Sequence, residues 1–244
     1  ILFSLWAGNI WSFFALFFIF GLIPFVELFT KGSTYNLNPQ EEEKVKNNVV
    51  FDLIIFGLVP LQCIILIYFL FQVSDETLPL YEKIGLTTAY GLACGGLGIN
   101  GAHELGHRKT WYEQLMSKML LLSTLYMHFF IEHNRGHHKN VSTDQDPASS
   151  KYNEGIYSFF LRSIVGGWKS AYHLEEKKLI LQKKRVWSRH NEMLRFQIIQ
   201  IALITTIALV FGLETMFYFI AGATIGIIIL ETVNYIEHYG LRRA

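Results

Sequence analysis

Cysteine is scarce in this chain: two in 244 residues, Cys63 and Cys94. Both lie inside apolar runs, which argues against a disulfide scaffold and for small buried hydrophobes. An excess of charge is missing as well. The formal net charge is +1, so there is no global pull toward nucleic acid. There is no initiating methionine and no signal-peptide pattern: the chain starts at Ile1 in apolar sequence and stops at Arg242-Arg243-Ala244. It is expected to be a piece of a longer protein.

Apolar residues are abundant, and they come in long blocks. Complete spans are expected at about 10–29, 49–72, 82–102, 195–212 and 214–233, with residues 1–8 as the tail of an earlier one. Each is about 20 residues, enough for ~30 Å of hydrocarbon at 1.5 Å per residue. Gly212 supplies a turn that makes a hairpin of the last two. The expected fold class is therefore all-α, a polytopic helical membrane protein with a cytoplasmic helical lobe at about 139–193.

The nine histidines give this frame a chemistry. All but His128, His173 and His190 fall in three clusters, each where apolar sequence meets polar. They read His103-Glu-Leu-Gly-His107, Glu132-His133-Asn-Arg-Gly-His137-His138 and Asn234-Tyr-Ile-Glu237-His238-Tyr-Gly240. Neutral imidazole is the commonest protein ligand for transition metals. The i, i+4 spacing of His103 and His107 stacks both on one helix face, and His133 and His137 repeat it. Glu104, Glu132, Asn234 and Glu237 neighbour the clusters, where a carboxylate would accept the second N–H of a ligating imidazole. His128, in Tyr126-Met-His-Phe-Phe, is a supporting or interfacial histidine. His173 and His190 sit in charged sequence and read as solvated.

One metal centre needs all clusters on one side of the membrane. The run at about 113–131 separates the first cluster from the second and is long enough to cross. It is expected to lie along or dip into the interface instead, which also suits Lys118. With the clusters placed on the cytoplasmic side, all but Lys83 of the 21 lysines and arginines fall inside, a strong positive-inside pattern.

HELGH alone also fits the zinc-protease pattern H-E-x-x-H, but the chain offers more histidines than one zinc uses. A metal transporter would want ionisable residues within the spans. Only Glu214 and Glu231 come near, close to the ends of the last hairpin. The three clusters together resemble the membrane histidine-rich iron oxygenases and desaturases. HELGHR, EHNRGHH and NYIEHYG, with Asp144-Gln-Asp146-Pro-Ala-Ser-Ser150, resemble most the bacterial alkane 1-monooxygenases. Gly155 to Leu194, with Ser170-Ala171 and Trp187-Ser188, also looks like that family.

The resemblance implies two non-haem iron ions facing the cytoplasm of a bacterial inner membrane, with O₂ as co-substrate. It implies His103, His107, His133, His137, His138 and His238 as iron ligands. It further implies rubredoxin and its reductase as electron donors, and terminal hydroxylation of an alkane to a primary alcohol. A related hydroxylase of alkyl aromatics and a fatty-acyl desaturase use similar clusters. The family carries one more cluster, His-x-x-His-His, beyond NYxEHYG, and the sequence given stops before it. Arg108 stands where the family often has Lys. Lys177-Lys178 and Lys183-Lys184-Arg185 form a basic patch that either steers an acidic carrier or simply follows the positive-inside pattern.

Overall fold

The computed structural model describes residues 1–32, 35–38 and 48–243. Most of the polar loop between the first two expected spans, with Lys44 and Lys46, lies outside the described residues. Every regular element among the described residues is helical. A short α1 (Leu2–Ala7) leads into α2 (Asn9–Glu27), which carries a π turn at Phe18–Leu22. Pro24 follows that turn, and its ring nitrogen cannot donate to the Phe20 carbonyl. Next, α3 (Val49–Val73) starts on Asn48, whose side chain accepts the Val50 N–H at 3.0 Å. The last pair is α10 (Glu192–Phe211) and α11 (Leu213–His238), hinged at Gly212 with φ +89°. That left-handed backbone favours glycine, as the hairpin requires.

These four long helices, α2, α3, α10 and α11, are long and apolar enough to cross a membrane. Most of their surface faces outward, with residues such as Phe17, Ile64, Leu209 and Phe217 exposed. An apolar surface of this extent needs lipid rather than water around it. The protein is thus a polytopic helical membrane protein. The third expected span, 82–102, is built differently. It is helical from α4 (Leu80–Ala93) to α5 (Asn100–Gly106), but a glycine-rich π turn, Cys94–Ile99, interrupts it.

That central rod packs closely on α11. A Cβ at Gly226 would lie 2.5 Å from Cys94 Cβ and 3.0 Å from the Gly95 nitrogen. The two backbones touch, so neither can yield without moving a helix. Gly226→Ala is expected to cost about 1–3 kcal/mol by overpacking. It should lower the thermal midpoint in detergent, while Gly57→Ala, with nothing within 4 Å, should not.

The run expected at 113–131 is not one helix. Thr110 caps α6 (Trp111–Ser123), accepting the Glu113 N–H at 3.4 Å. The helix is about 20 Å long at 1.5 Å per residue, and it then stops. Ser123 and Thr124 hydroxyls bond back to the Leu120 and Leu121 carbonyls, and Leu125 turns left-handed at φ +53°. The chain reverses there into α7 (Phe129–Glu132), a π turn at His133–His137 and α8 (His138–Asn140). The second histidine cluster therefore returns to the first.

The polar stretch that follows folds into α9 (Ile156–Leu181). It buries Phe159, Ser163, Gly167, Ala171, Glu175 and Leu179. That four-residue repeat is the stripe a helix lays against one neighbouring surface. Here it covers the histidine-bearing turn, and α9 contacts α7, α10 and α11.

Candidate metal centre

His103 and His107 stand one turn apart on α5, ring centroids 4.7 Å apart. The π turn brings His133 to 4.4 Å from His103 and 5.2 Å from His107, centroid to centroid. A π turn aligns residues five apart rather than four. His133 therefore faces His138, Nε2 to Nε2 at 2.9 Å, and His138 Nε2 is 3.2 Å from His107 Nε2. Ligand atoms of these four rings all lie within 4.8 Å of one another.

Four nitrogen donors held this closely repel one another as cations. Burial first, and then the surrounding imidazoles, push His133 down to about 2. Burial and the same neighbours also lower His138. His133 and His138 are thus neutral at ordinary pH, with lone pairs free for a metal. A convergent, all-imidazole set fits a divalent transition ion such as iron.

His137 points elsewhere. Its ring lies 5.0 Å from that of His238, and its Nδ1 is 2.9 Å from Asp146 Oδ2. The two form a second pair beside the four. Asp146 is fully buried and also accepts the Ser149 hydroxyl and the Ala148 N–H. Burial pulls His137 down, but the Asp146 carboxylate outweighs it and the net shift is upward. Asp146 itself is held low, because its bonds from His137 and Ser149 overcome the burial.

The expected supporting residues divide. Glu132 is buried beneath the cluster and accepts the Ser170 hydroxyl at 3.4 Å. Burial, with help from Asp146, pushes its carboxyl up to about 7. His128 is buried too and pushed down to about 4 by that burial. Its Nε2 has no partner among the described residues, and it lines a small cavity with Tyr126, Glu132, His133 and Glu231. Asn234 reaches Glu231 at 3.4 Å rather than a histidine. Glu104 pairs with Arg108 at 3.7 Å, and Glu237 is exposed. His173 and His190 are exposed, away from the centre.

Asp146 and Glu231 were not among the candidates. Asp146, named only within the motif after the second cluster, opens a turn, and its carboxylate both caps that turn and meets His137. Glu231 read as an ionisable group near a span end. It is buried and accepts the Tyr126 hydroxyl at 2.9 Å, bridging α11 to the reversed chain.

The comparisons with known proteins agree with this geometry. The family described as fatty acid desaturase matches residues 83–244. Alkane 1-monooxygenase 1 of Alcanivorax borkumensis is 36% identical over 237 residues, 96% of this chain and 58% of that protein. Alkane 1-monooxygenase of Pseudomonas putida is 36% identical over 226 residues, 92% of this chain and 56% of its own. That of Acinetobacter baylyi is 35% identical over 222 residues, 91% and 54%. The chain thus spans little more than half the length of these relatives. It belongs to the fatty acid desaturase family and is a homologue of the alkane 1-monooxygenases.

Proposed function

We propose that this chain forms the membrane and metal-binding part of an O₂-dependent alkane hydroxylase that converts an alkane to a primary alcohol. The observation that carries this reading is the convergence of four imidazoles beside helices long and apolar enough to cross a membrane. An alkane has no dipole, acid or leaving group, so acid–base catalysis has nothing to act on. Iron held there would activate O₂, the oxidant, with two electrons from the carrier, so that the C–H bond can be broken and the second oxygen atom leaves as water. His103, His107, His133 and His138 would hold one ion, and His137 and His238 would contribute to a second. Asp146 fixes the orientation of His137, and Glu231 with Tyr126 keeps α11 in register beneath it. The exposed apolar helices let substrate arrive from the lipid, where alkanes partition.

The proposed setting is a bacterial cytoplasmic membrane with the centre facing the cytoplasm, and rubredoxin with its reductase as electron source. An acidic carrier would find Lys177, Lys183, Lys184 and Arg185 on the same side. The test uses membranes carrying the full-length protein, supplied with rubredoxin, reductase and O₂, and offered octane, xylene or a fatty acyl chain. The expected product is 1-octanol, read by gas chromatography. Turnover of xylene alone, or a new double bond in the acyl chain, would replace this reading with a related one.

A further inference from the structure

The turn that carries the second histidine cluster has a buried anchor outside the centre. Arg135 lies between His133 and His137 on the π turn and reaches across to α9. Its Nη2 donates to Glu175 Oε2 on α9 at 2.9 Å. Glu175 is wholly buried, although it sits midway along a helix rich in lysine. It also accepts Lys178 Nζ at 3.2 Å and the backbone N–H of Glu192, first residue of α10, at 3.1 Å. Glu192 in turn accepts Lys118 Nζ of α6 at 2.6 Å, and that ammonium lies 4.4 Å over the Phe130 ring. The next residue of the turn, Gly136, meets α9 closely: a Cβ there would fall 3.1 Å from Leu174.

A buried ion pair of this kind adds little net stability over an apolar pair of the same shape. What it does supply is direction. A charge-assisted hydrogen bond from the guanidinium Nη2 to a wholly buried carboxylate oxygen is short and directional, and a π turn departs from the hydrogen-bond pattern of the helix around it. Arg135 has His133 two residues before it, and His137 and His138 two and three residues after. A small rotation of the turn about its axis would carry the His133 and His138 rings off their common point and His137 off Asp146.

We propose that Glu175 is a positioning residue for the metal centre, acting through Arg135 to set the rotation of the His133–His138 turn. The proposal rests on the reading of the histidine set as a metal site. The test is anaerobic titration of the detergent-solubilised, full-length protein with Fe(II) against a chelator of known affinity, for wild type, Glu175→Gln and Arg135→Lys. Glu175→Gln keeps an acceptor for the Glu192 N–H but drops the charge, and Arg135→Lys keeps the charge but displaces the donor that meets Glu175 Oε2. Each is expected to weaken iron binding by about 10–100-fold, the range seen for outer partners of metal ligands. The visible spectrum of the Co(II)-substituted protein should change as well. Metal-free melting of Arg135→Lys should stay near that of wild type. If Glu175→Gln fails to fold, Arg135→Lys alone decides. Wild-type affinity and an unchanged cobalt spectrum in the folded variants would overturn the proposal. A wild-type protein that binds no iron would instead overturn the reading of the site itself.

Discussion

Replacing His133 by alanine is expected to remove bound iron and reduce hydroxylation by well over 100-fold, beyond the losses typical of outer-shell changes. His133 is the hub of the cluster. Its ring centroid lies 4.4 Å from His103, 5.2 Å from His107, 4.5 Å from His138 and 5.2 Å from His137. The other three members of the four-ring set would keep their places but lose one of the four converging nitrogens. The metal-free fold should tolerate the change. Burial keeps the ring uncharged, and among the described residues its side chain takes part in no ion pair. Thermal unfolding without metal should therefore stay close to wild type, while the stabilisation from added iron disappears, since a ligand stabilises only the state that binds it. His173→Ala and His190→Ala, both at exposed positions, are the controls and should leave iron content and turnover unchanged. Full iron content in His133→Ala would contradict the assignment.

The cluster's membership was open to reading in the sequence; its pairing was not. Spacing of four sets His103 of α5 beside His107, its C-cap, ring centroids 4.7 Å apart, because the backbone there is an ordinary helical turn. The same rule joins His133 to His137, whereas the π turn joins His133 to His138. A π turn is a choice of hydrogen-bond partner, and residue identity does not encode it. Hydropathy likewise marked the apolar helices and the Gly212 hinge, because burial in lipid and left-handed backbone both leave a local signature. The reversal after Ser123 leaves none. Leucine at φ +53° carries no turn signal, and the backbone bonds that close the reversal, Leu125 N–H to Leu122 and Tyr126 N–H to Leu121, are not written in residue identity. Asp146, Glu175 and Glu231 were hidden for a related reason. Each acts on a partner brought to it by the fold, 9, 40 and 105 positions away in the chain.

Asp146→Asn is expected to lower iron affinity and turnover by about 10–100-fold with little change in shape. The reason is the tautomer of His137. Its Nδ1 faces Asp146 Oδ2 at 2.9 Å. A carboxylate only accepts, so Nδ1 carries the proton and Nε2 keeps its lone pair on the side of His133 and His238. Asparagine at this position has its Oδ1 engaged by the Ala148 N–H. Its amide nitrogen then takes the place of Oδ2 and donates. His137 Nδ1 becomes the acceptor, the proton moves to Nε2, and the lone pair is no longer available to a metal. The Ser149 hydroxyl, now facing a donor, turns to accept. Metal-free melting curves supply an independent check with a definite sign. The pair's contribution fades as pH falls through the lowered Asp146 value, and again as pH rises through the raised His137 value. Wild type should therefore lose stability on both sides of that window, and Asp146→Asn should respond less to pH. Asp146→Ala removes the Ala148 cap as well and should cost stability at every pH. Full iron binding in Asp146→Asn with an unaltered pH profile would show that His137 takes its orientation from elsewhere.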